Sequence, residues 1–134
     1  MSVKATGVSP VTIKLLDIDP SGETTVTIRP PDWKAENLRG AFLAKRTYGQ
    51  DEFMRLVVSV DANLRELWET ELWLTLEAVN IVVEIGDDKI ELVGSRDELT
   101  FNEFKNKLDQ MPPDVVYSWH DAVLVVVERW RNPF

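Results

Sequence analysis

A chain of 134 residues with 44% apolar content and five tryptophans is one domain in size and can close a hydrophobic core of its own. With no cysteine and one histidine it excludes disulfides, thiolate metal sites and ordinary zinc sites. Its net charge of −8 comes from residues 61–103, where twelve acidic and three basic side chains make −9 and leave the rest of the chain nearly neutral, and that argues against nucleic-acid binding, which needs Lys and Arg on phosphates.

Met1 to Pro10 is small, polar and without periodicity, so residues 1–10 read as a flexible arm unless an assembly orders them, and 11–134 as one domain. Val11–Ile18 and Glu23–Arg29 are rich in β-formers and flank the turn sequence Asp19-Pro20-Ser21-Gly22, which predicts an N-terminal hairpin. Pro30-Pro31-Asp32 ends that element. Ala35, Leu38, Ala41 and Phe42 then predict a helix from Trp33 to about Arg46, weakened at Gly40 and closed by Tyr48-Gly49.

Asp51 can cap a second helix to about Val60, and Ala62–Ala78 predicts a third, with Leu64, Leu67, Trp68, Leu72, Leu74 and Leu76 on a broad apolar face. Trp73 falls on the other side among Glu66, Glu69 and Glu77. It is either a boundary residue half covered by a loop or an anchor for a partner. Asn80–Ile85 and Lys89–Val93 alternate around Gly86-Asp87-Asp88, a central hairpin with one buried face.

Thr100 and Glu103 form a capping-box pair. The helix they open carries Phe101, Phe104 and Leu108 on one face and stops at Met111-Pro112-Pro113. Pro113 or Asp114 opens the last helix, where Val115, Val116, Trp119, Ala122, Val123, Val126, Val127 and Trp130 fall within an arc of about 140°. Tyr117 and Leu124 point the opposite way, among His120, Glu128 and Arg131. They are either ordinary exposed apolar residues or a partner-facing stripe. The valine run leaves a strand over Ala122–Val127 as an alternative. The whole reads as α+β, a mostly helical single domain with an N-terminal and a central β-hairpin.

No catalytic constellation is predicted. His120 is the one candidate base, Asp121 points about 100° away from it on the helix, and Ser118 does not face it. Asp17-Ile18-Asp19-Pro20-Ser21-Gly22 matches the opening of a calcium loop but places Ile28 where a bidentate glutamate is required, so a turn is expected and no metal. Phosphate-cradling glycine loops are absent, and no cofactor is expected. No secretory signal and no apolar run long enough to span a membrane are seen, which predicts a cytoplasmic protein without membrane partners.

From Glu71 onward, the hairpin NIVVEIGDDKIELV and then LTFNEFKNKLDQMPPDVVYSWHDAVLVVVERW resemble the C-terminal half of tail assembly chaperones of long-tailed bacteriophages. The resemblance rests on the cadence FxxFKxxLDxMPPDVVxxWHxxVL and covers about half of the chain. It implies a non-enzymatic protein in the host cytoplasm that coats the tape-measure protein and recruits tail-tube subunits, often with a frameshift-extended second form. A homo-oligomer would fit such a role. Trp73, Tyr117 and Leu124 are then the first residues expected at the client contact. Two other readings use the same features: a small acidic inhibitor or antidefence protein presenting the 61–103 block to a basic nucleic-acid-binding target, and a structural virion component using the N-terminal arm.

Overall fold

The computed structural model describes residues 2–3, 7–48 and 53–131, with only the helical backbone of 44–48 and 53–63. Strands β1 (Val11–Lys14) and β2 (Thr25–Ile28) are followed by helices α1 (Trp33–Tyr48) and α2 (Phe53–Leu74). Strands β3 (Leu76–Ile85) and β4 (Asp88–Ser95), a 3₁₀ turn at Arg96–Glu98, helices α3 (Phe101–Gln110) and α4 (Pro113–Val126), and a second 3₁₀ turn at Glu128–Arg131 complete the chain.

The fold is α+β, and the two expected hairpins join into one antiparallel sheet of order β1-β2-β3-β4. The joint is β2 against β3, with Val26 opposite Val79 and an irregularity where Ile28 meets Leu76. Period-two alternation then divides the faces. Val26, Ile28, Val79, Ile81, Ile90 and Leu92 are buried, whereas Thr12, Asn80, Val82, Glu91 and Val93 are exposed on the opposite face. Phe104 of α3 and Trp119 of α4 meet edge to face at 5.7 Å within the core that includes the inner sheet face.

Several boundaries differ from expectation. The two helices predicted over 51–60 and 62–78 are a single α2 that ends at Leu74, and Leu76, Glu77 and Ala78 belong to β3. Thr75 marks the switch: its Oγ1 donates back to the Glu71 carbonyl at 2.8 Å while its backbone carbonyl accepts from Arg29. The strand alternative at Ala122–Val127 does not form, because α4 runs to Val126 with Val115, Val116, Val123 and Val126 packed on the core and Val125 left on the exposed side. That helix is shorter than its apolar pattern, and Trp130 reaches the core from the 3₁₀ turn instead. Thr100 Oγ1 accepts from Glu103 N at 3.2 Å as predicted, but the glutamate that reaches back to a preceding amide is Glu98, onto Ser95. The proposed cap at Asp51 lies outside the described residues.

Candidate functional site

An open cavity of about 470 Å³ lies between α2 and α4. Leu64, Leu67, Trp68 and Glu71 line it from α2, and Tyr117, His120, Asp121 and Leu124 from α4. Both sets have the same spacing of three, four and seven residues, so each is one stripe along its helix. Trp130 and Arg131 close the end.

Trp68 organises the wall. Its ring stacks on His120 with centroids 4.6 Å apart and meets Tyr117 edge to face at 5.7 Å. On the other side of the Trp68–Tyr117 pair lies a smaller depression of about 200 Å³, bordered by Leu108, Met111 and Val116. Glu69 lines that depression too. Burial, reinforced by the neighbouring Asp109 carboxylate, pushes its carboxyl above the usual range.

Beneath the cavity is a buried polar group that joins three helices. Glu71 Oε2 accepts from Arg39 Nε of α1 at 2.8 Å, and Glu71 Oε1 lies 2.9 Å from His120 Nε2. All three side chains are buried. The carboxylate can only accept, so Nε2 of the imidazole carries the shared proton. Arg39 also lies over the Trp130 ring at 4.7 Å, and Trp130 Nε1 donates to Glu36 of α1 at 3.0 Å. Helical spacing alone puts His120 among exposed residues, with Asp121 as the nearest acid in sequence. The structure buries it and supplies Glu71 from another helix.

A histidine oriented by a carboxylate is half of a hydrolytic triad. Among the described residues lining this cavity no serine, threonine or cysteine completes it. Ser118 is turned away and donates to Asp17 at 2.6 Å. Asp19 holds its own turn, as its sequence predicts: it accepts from the hydroxyls of Ser21 and Thr24, which keep its carboxyl at about 2. No cluster of three or more metal-ligating side chains occurs among the described residues, and no described helix is long and apolar enough to cross a membrane.

Of the three expected partner residues, the structure brings two together. Tyr117, 45% exposed, and the half-buried Leu124 both line the cavity. Trp73 lies elsewhere on α2, packed against Phe101 and Phe104 with the Arg96 guanidinium 5.0 Å over its ring, so it bridges α2 to α3. The residues missed in the sequence are Trp68, Glu71 and Trp130, and the most exposed large aromatic described is Trp33, at 78%. No family model, curated protein or solved structure matches this chain.

Proposed function

We propose that this chain is a non-enzymatic assembly chaperone of the phage-tail type, acting in the cytoplasm of the infected cell and holding an apolar segment of the tape-measure protein between α2 and α4. The observation that carries the reading is the open, largely apolar cavity with Tyr117 and Leu124 in its wall. A groove of that size between two helices suits the anchor side chains of an amphipathic client helix. Its aromatic wall gives contact area at little cost in side-chain entropy, while the acidic surface keeps a complex with an aggregation-prone client in solution. The resemblance of residues from Glu71 onward supplies the identity of the client.

Co-expression with a tape-measure protein tests this. Replacing Tyr117 and Leu124 together by serine is expected to move most of the client into the insoluble fraction while the chaperone itself stays folded. Client solubility unchanged by the double substitution overturns the assignment. Trp73→Ser is the control arm: it is expected to lower the unfolding temperature without a selective loss of client. Salt separates the acidic-inhibitor reading, since contacts through the groove should survive moderate ionic strength and binding through the 61–103 carboxylates should not.

A further inference from the structure

The two ends of the β3–β4 hairpin carry complementary surfaces. β3 starts beside the N-terminal end of α1, where Arg29 N donates to Thr75 O at 2.7 Å, and ends at the turn where Ile85 pairs with Asp88. Its ten residues, at about 3.3 Å each, separate the two ends by roughly 30 Å.

At the α1 end is a concavity of about 200 Å³ with Ala35, Leu38 and Leu74 as its apolar part and Arg29, Lys34 and Arg96 as its basic part. Glu77 neutralises Arg29, and Asp32 is occupied in capping α1, accepting from Ala35 N at 2.8 Å. Lys34 and Arg96 have no carboxylate partner among the described residues. Leu38 is half exposed in the same wall, and the exposed Trp33 follows Asp32 directly in sequence.

At the other end is a narrow projecting turn. Gly86 takes φ +62, so the chain reverses in two residues and presents Ile85, 47% exposed, next to Asp87 and Asp88. Glu84 is matched internally by Lys89 at 3.8 Å, whereas neither aspartate has a cationic partner among the described residues. Two cations without a carboxylate partner among the described residues, Lys34 and the Arg96 that also lies over Trp73, thus stand around a largely polar hollow with Leu38 exposed at its wall, and two carboxylates without a cationic partner stand beside the exposed Ile85 at the other end.

We propose that the hairpin turn of one molecule enters the α1-end hollow of a second copy, with Asp87 and Asp88 on Lys34 and Arg96 and Ile85 against Leu38 and Leu74. A turn about 30 Å from its own hollow cannot fill it, so the contact is between molecules. It joins two different surfaces, and association therefore runs head to tail into a ring or an open chain. This contact uses neither the α2–α4 cavity nor its client.

Sedimentation velocity on the full chain tests the contact. At 0.01 M salt, where screening extends over about 30 Å, the average mass is expected to rise above 15.3 kDa with concentration, and at 1 M salt, where it extends over about 3 Å, to return to that value. Lys34→Glu spoils the hollow and keeps the turn; Asp87→Asn with Asp88→Asn does the reverse and gives the acidic hollow of the first variant nothing cationic to hold. Each variant alone is expected to stay monomeric, and their equimolar mixture to form pairs that grow no further. The pairing also shows that both variants are folded. A wild-type chain that is monomeric at both ionic strengths, association undiminished by either variant, or a mixture that stays monomeric overturns the proposal.

Discussion

Glu71 is the residue on which most of the buried charge depends. Two cationic or proton-donating side chains, Arg39 and His120, end on its two oxygens, and all three residues are buried. Glu71→Ala would leave the guanidinium buried and unpaired, and is expected to cost about 3–5 kcal/mol by urea unfolding. Replacing Arg39, Glu71 and His120 together by apolar residues of similar volume should cost far less, because the desolvation of the charges disappears with them. Asp19 gives a pH signature of its own. Its folded-state carboxyl, held at about 2, lies below its ordinary 3.8, so the stability it adds is complete above that value and is lost as pH falls from 3.8 to 2. Asp19→Asn should therefore trail the wild type at neutral pH and converge with it in acid; a gap that does not narrow refutes the linkage. The buried triad was legible in part. Glu71 falls in the middle of the arc of Leu64, Leu67, Trp68, Leu72 and Leu74, and a carboxylate in the centre of an apolar face demands a partner. His120 lies only about 20° beyond the edge of the buried arc of α4, too close to its margin for helical angles to settle its burial. Which partner each would find depended on how three helices meet, and local spacing carries no such information.

Among the elements, α2 is covered on two sides, by α4 through the Trp68 stripe and by α3 through Trp73. The α2–α3 contact includes Glu69, whose carboxyl burial and Asp109 push upward from the ordinary 4.5. A raised acid stabilises at low pH, and that contribution is lost as pH rises through the folded-state value. Glu69→Gln is accordingly expected to raise the unfolding temperature at neutral pH, with the gain fading below pH 4.5; thermal melts at both pH values check the sign. The hairpin turn makes a second prediction. Gly86→Val places a β-branched side chain at positive φ and should destabilise by about 1–2 kcal/mol, measured by denaturant unfolding. Helix starts were well marked in the sequence by Asp32, Thr100 and the Pro112-Pro113 pair. The end of α2 was not. Leu72, Leu74 and Leu76 satisfy both the helical stripe and the strand alternation, and only the backbone bond from Arg29 to Thr75 shows where one gives way to the other.

At the scale of the molecule, both hairpins are visible in the sequence because each is closed by its own turn, whereas the pairing of β2 with β3 joins segments separated by residues 29–75. No local pattern encodes it. The cavity is likewise a product of assembly, since its two stripes are each indistinguishable from core until their helices are set side by side. The described residues of the N-terminal arm are exposed and outside regular structure, so deleting residues 1–9 is expected to move the unfolding temperature by less than about 2 °C in a calorimetric scan.

The β2–β3 joint also sets an order on biosynthesis. As the chain leaves the ribosome, β1 and β2 can close at once, but the second edge of β2 has no strand to meet until α1, α2 and the start of β3 have followed, an interval on the order of a few seconds at ordinary rates of translation. During that interval a short, β-prone edge is open to whatever neighbouring chain is nearest, and closing it requires the ends of a long segment to be brought together. Expression at high ribosome density should then favour misassembly between nascent copies, and slowing initiation should recover soluble protein without any change of sequence.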